Sequence, residues 1–175
     1  MVIPLAAYIT GKITRFDVAE SIAGSILDSP SGFPSVQHAA RIGLALIAVQ
    51  RGDAMAAGKL YGAIEPLIAT MSPQGPFGPG LSADRVLGLV SQTMGNLKQA
   101  CEHFEDALDF CRKAGYRPEL AWTCCDYADM LLERDGEGDR AKAITQLDES
   151  LAISSELGMR PLMERVLSRR EILKA

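Results

Sequence analysis

The chain has no run of about 18 apolar residues, the length a membrane span needs. Its start, MVIPLAAYITGK, lacks the basic segment of a secretory signal, so a soluble cytoplasmic protein is expected. Histidine is scarce, with only His38 and His103, and a single tryptophan is present, Trp122. The four cysteines, Cys101, Cys111, Cys124 and Cys125, contain no CxxC pair and read as reduced thiols packed as small apolar groups. Zinc-ligand spacing is missing, and no stretch alternates apolar and polar residues over a strand length. Neither Gly11-Lys12 nor Gly58-Lys59 satisfies the phosphate-loop pattern, which excludes nucleotide binding through them. A net charge of −4 argues against direct nucleic-acid contact. No cofactor is implied.

Charge is also short in one half. Residues 1–94 hold six basic and six acidic side chains, whereas residues 95–175 hold twelve and sixteen. The first half therefore has little to present to water. An apolar interface patch there, and a homodimer through it, is one expectation; a bland surface of Ala, Gly and Ser is the other.

What is present is helical periodicity. Apolar residues recur three and four apart over Phe16–Leu27, Ser35–Gln50, Ala54–Thr70, Ser82–Met94, Leu97–Ala114, Glu119–Arg134 and Asp139–Leu157, and a last helix starts at Pro161. Residues 1–15, with β-branched side chains and Gly11, read as an irregular or frayed start. Pro66 is expected to bend its helix or fray the last turn. Met71–Ser82, with three prolines and three glycines, is the main break in the chain.

An internal repeat underlies the pattern. Gly52, Gly95 and Gly138 stand 43 residues apart, followed in register by Ala57, Ala100 and Ala143, then by Tyr61, Phe104 and Leu147. Small residues at Gly88, Ala100 and Ala107 let two helices approach closely, and Phe104 fills the hole between one pair and the next. The expected organisation is an N-terminal capping segment or helix at 1–34, helix pairs at 35–70, 82–115 and 117–158, and a capping helix at 160–175.

These residues resemble the tetratricopeptide repeat. Leu87, Gly88, Gly95, Ala100, Phe104 and Ala107 match its pattern, with Ser91 where tyrosine is usual. Looser matches are Leu44, Ala45, Gly52, Ala57, Tyr61 and Ile64 before it, and Tyr127, Ala128, Gly138, Ala143, Leu147 and Ser150 after it, where the corner at 134–139 holds about three extra residues. The resemblance implies an all-α fold of antiparallel helix pairs, about seven helices in a short right-handed solenoid. It also implies a groove lined by the first helix of each pair: Ile42, Leu46 and Val49, then Arg85, Leu89 and Gln92, then Trp122, Cys125, Asp129 and Leu132.

A second resemblance covers most of residues 39–175: the run from His103 to Ala175, with LGMRPLMERVL near its end, is similar to the helical-repeat region of large bacterial signalling proteins. There an ATPase module is accompanied by a nucleotide cyclase or a LuxR-type DNA-binding domain. That likeness implies a non-enzymatic module for protein–protein interaction in signalling or transcription control, its partner a protein, a peptide or neighbouring domains of a longer chain. The chain closes within a helical pattern, as a piece cut from a longer protein or a short relative would. A groove that senses a small effector is the alternative. A thiol enzyme using Cys124 or Cys125 is a third class. Arg165, Arg169, Arg170 and Lys174 read as a solvated helix face, with a phosphate-contacting stripe as the competing reading.

Overall fold

The computed structural model describes residues 2–12, 15–29, 33–68 and 81–174, which form helices and connections without a strand. Nine helices are present among them, rather than about seven: α1 (Val2–Thr10), α2 (Phe16–Leu27), α3 (Pro34–Arg51), α4 (Ala54–Ile68), α5 (Ala83–Thr93), α6 (Leu97–Ala114), α7 (Arg117–Arg134), α8 (Asp139–Glu156) and α9 (Arg160–Lys174). None is long and apolar enough to cross a membrane. Most of the proline- and glycine-rich break at 71–82 lies outside the described residues. The chain divides into two compact units, residues 1–79 with 89–96, and residues 80–88 with 97–175.

In the first unit the N-terminus is a helix, contrary to the irregular start expected. Pro4 falls in the first turn of α1, where a missing N–H breaks no helical bond. Burial then overrides the modest propensity of the β-branched residues. Pro4 and Ala7 are buried, Ala7 joins Phe16 and Ile47 in a small core with Ile3 and Ala19 against it, and Gln50 donates from Nε2 to the Pro4 carbonyl at 3.1 Å. Arg51 lies 5.7 Å over the Phe16 ring and pairs with Glu20. Pro66 is accommodated near the end of α4.

The three evenly spaced glycines prove inequivalent. At Gly52 and Gly95 the helix ends with the glycine at positive φ, and the next residue's N–H reaches back to a carbonyl five residues earlier (Asp53 to Ala48, Asn96 to Ser91, both 2.9 Å), the Schellman arrangement. Helix α7 instead ends on Asp135, itself left-handed at φ 49°, and Gly138 precedes α8 as its N-cap. The extra residues of that corner let Arg134 reach Asp139 through Nε at 2.7 Å and Nη2 at 2.6 Å, while Asp139 also accepts the Gly136 N–H at 2.9 Å.

In the second unit α6, α7, α8 and α9 pack in succession. Gly88 of α5 brings its helix against the Phe104 ring, and Phe104 stacks on Tyr127 of the following pair with centroids 5.6 Å apart. Ala100, Ala107 and Ala143 are fully buried. The Ser150 hydroxyl donates to the Ala121 carbonyl at 2.7 Å, fixing α8 to α7.

Candidate partner-binding face

Helix α7 carries Glu119, Trp122, Asp126 and Asp129 three and four residues apart, so they share one face. Glu119 and Asp126 are buried carboxylates, which a folded protein tolerates only when they are paired. The partner is Arg85, itself buried, from the first turn of α5. Its Nε donates to Glu119 Oε1 at 2.8 Å and its Nη1 to Asp126 Oδ2 at 2.7 Å. Glu119 also accepts the Ser82 backbone N–H at 2.6 Å. Ser82 in turn accepts from the Arg85 N–H at 3.4 Å as the cap of α5.

The chain of charge continues outward to α9. Arg165 Nη2 lies 3.0 Å from Asp126 Oδ1 and 2.9 Å from Asp129 Oδ2. Arg169 donates to Asp129 through Nε at 2.8 Å. The Arg165 guanidinium also sits 5.8 Å from the centre of the Trp122 ring, on whose electron-rich face a cation is stabilised. Three carboxylates and three arginines thus alternate in the order Glu119, Arg85, Asp126, Arg165, Asp129, Arg169. A guanidinium group, with several donors in one plane, is well suited to bridge two carboxylates in this way. Side-chain exposure rises from 0% at Asp126 to 24% at Arg165 and 36% at Arg169.

This corrects the reading of the last helix. Arg165 and Arg169 form neither a solvated face nor a phosphate stripe, because acids of α7 already hold them. Arg170 pairs with Asp148 of α8 at 2.8 Å. The Lys174 side chain lies outside the described residues.

The remaining expected groove residues divide by burial. Ile42, Leu46 and Leu89 are buried, and Val49 and Gln92 are half-buried, in the first unit. In the second, Trp122 and Cys125 are buried while Asp129 and Leu132 are half-buried. The structure joins Arg85, Trp122 and Asp129 in one network. It adds Glu119, Asp126, Arg165 and Arg169, which sequence reasoning did not assign to the face. The available signal was the acidic stripe Glu119, Asp126, Asp129 along a helix whose neighbouring positions from Leu120 to Leu132 are mostly apolar.

The first unit bears a different surface. An open cleft of about 320 Å³ is lined without any charged residue by α1, α2 and α3, including Ile3, Ile26 and Ala39. Val2, Ile22 and Val36 are exposed there, from 44% at Val36 to 78% at Val2, and Phe33, 75% exposed, lines a second cleft that shares Ile22, Ile26 and Val36. Among the described residues this surface is apolar, with Ser21, Ser25 and Ser29 along the second cleft.

Cysteine chemistry finds no support. Cys111, Cys124 and Cys125 are buried, and burial pushes the thiols of Cys111 and Cys125 up to about 12 and that of Cys124 higher still. A thiolate nucleophile at neutral pH is therefore not available from them. Cys101 faces Tyr127, with Sγ 3.2 Å from Oη. His103 faces Asp84, with Nδ1 3.4 Å from Oδ1, so the two do not form a thiol–imidazole pair. Among the described residues no His, Cys, Asp and Glu cluster could hold a metal ion.

Comparison with known proteins bears on part of the chain. Residues 81–156, from just before α5 to the end of α8, match the family model described as tetratricopeptide repeat. This supports a tetratricopeptide-like helical region there. No curated protein and no solved structure matches the chain.

Proposed function

We propose that the chain is a non-enzymatic helical-repeat module that binds a protein or peptide segment and serves as a regulatory part of a bacterial signalling or transcription-control assembly. The observation carrying this reading is the repeat match over α5–α8. Repeats of this class typically mediate protein–protein interaction. The α7 face adds the mixture of aromatic and charged groups that a binding anchor requires. Of the expected groove residues, Asp129 and Leu132 form the contacting set of the second unit, with Arg85, Trp122 and Cys125 buried beside them; Ile42, Leu46, Val49, Leu89 and Gln92 belong to the first unit. Selection of a displayed peptide library on the full chain tests the reading. Selected peptides should bind wild type and lose at least about tenfold in affinity on Leu132→Asp, a charge placed in an apolar contact. A library that yields no saturable binder would sink it.

The uncharged cleft of the first unit favours a second reading, a small-effector sensor controlling an attached ATPase or DNA-binding module. Its volume falls at the lower end of that of ligand pockets. An apolar metabolite that raises Tm in wild type but not in Ile22→Asp would establish it. Light scattering distinguishes the remaining occupant, a second copy in a homodimer, which would dissociate on the same substitution.

A further inference from the structure

Helix α9 packs on α8 by burying Leu162 and Val166. It is tied there also by the Arg170–Asp148 pair and by Arg140, whose Nη2 donates to the Leu173 carbonyl at 2.6 Å. Towards α7 it extends Arg165 and Arg169. These lie four residues apart on one helix face, and their guanidinium groups occupy Asp126, Asp129 and the face of Trp122.

We infer that the α7 stripe Trp122, Asp126, Asp129 is a receptor site for a helix bearing two arginines four residues apart, filled in cis by α9 and open in trans to a basic helical segment of a partner. The gradient of exposure separates the two ends of the network. Arg85, Glu119 and Asp126 are buried at 2%, 6% and 0%, beyond the reach of mobile ions. Asp129, Arg165 and Arg169, at 20%, 24% and 36%, are within it. Screening by salt therefore weakens the α9 contact while leaving the Arg85 contact in place. The site also states what it accepts. Asp129 takes the Nε and Nη2 of one arginine at 2.8 and 3.3 Å and the Nη2 of another at 2.9 Å. The Trp122 ring adds a cation-selective wall. An acidic or uncharged helix meets repulsion or an unpaired carboxylate, and a lysine lacks the planar fork that pairs with a carboxylate through two parallel bonds. Because α9 is part of the same chain, its high effective concentration keeps an outside segment away until the contact loosens. The cis contact stands on the structure alone, and the trans arm rests on the partner-binding reading above.

Trp122 is the only tryptophan and reports on the site directly. Two synthetic peptides of residues 159–175 serve as probes, one with the natural sequence and one with Arg165→Gln and Arg169→Gln. The full chain is used as wild type and as the R165Q/R169Q variant. The variant should show greater acrylamide quenching of Trp122. The natural peptide should reverse this saturably and bind at least about tenfold more tightly than the Gln peptide, as lost charge-assisted contacts require. Wild type, with its site filled, should bind neither at the same concentrations. Equal affinity for the two peptides, or no binding to a variant of native helicity, would overturn the inference. Should the variant lose helicity, wild type alone decides. Quenching of Trp122 should rise from roughly 0.05 M to about 1 M NaCl, where the Debye length shrinks to about 3 Å, with helicity unchanged. A flat response defeats the inference. Failure of the peptide library leaves these readouts untouched, since the probe is the chain's own segment.

Discussion

The Phe104 ring lies so close to Gly88 that a Cβ at Gly88 would stand 3.0 Å from three of the ring's carbon atoms. The ring cannot readily retreat, because Tyr127 stacks on it. Gly88→Ala should therefore destabilise the protein by roughly 1–3 kcal/mol, the usual cost of overpacking. Chemical denaturation measures it. The same substitution beside Phe104→Leu should cost less, and additive losses would show that the contact is not the cause.

Ser91 stands where the repeat pattern has tyrosine. It is fully buried, and its hydroxyl has no hydrogen-bond partner among the described residues. Ser91→Ala removes that burden at nearly constant volume. Stability should be unchanged or should rise by up to about 1 kcal/mol. A clear fall in the denaturation midpoint would mean that the hydroxyl has a bonding role.

Asp139 should govern part of the acid sensitivity. The Arg134 guanidinium holds its carboxyl at about 2, below the usual carboxylate range. A depressed folded pKa means that the contribution is fully present above the unfolded carboxylate value and is lost as pH falls towards 2. Asp139→Asn should accordingly lower Tm at pH 7, and the gap from wild type should close between about pH 4 and pH 2. A gap independent of pH would assign the loss to the α7–α8 corner's shape instead of its charge.

Thiol accessibility gives a direct count. Cys101 is half-buried, whereas Cys111, Cys124 and Cys125 are buried. A thiol-specific chromogenic reagent should modify one equivalent in the native protein and the other three only on unfolding. Rapid native reaction of Cys124 or Cys125 would revive the thiol-enzyme class.

Most of the helices were legible in the sequence. The bounds of α2 and α6 follow directly from apolar spacing, because one face of each helix is buried and the other is wet. Helix α1 was not legible. It has no charged residue to mark a wet face, and its stability comes from contacts with α2 and α3. The site was half legible. Trp122, Asp129 and Arg85 follow from the repeat register, but a charged residue in one dimension reads as solvent-facing. Arg85 and Asp126 are 41 residues apart, and Asp129 and Arg169 are 40 apart, so no local pattern links them. The equal spacing of Gly52, Gly95 and Gly138 concealed a difference in corner geometry, since period alone does not say which side of a corner a glycine occupies.

Helix α7 is buried on every side from Glu119 to Ala128. Each inserted or deleted residue within it would turn everything beyond by about 100°, carrying Asp126 away from Arg85 and Tyr127 away from Phe104 together. Substitution can be absorbed there one position at a time, but a change of length cannot. Variation in length among descendants of this chain should therefore collect at the 134–139 corner and leave the span from 119 to 128 invariant in residue count.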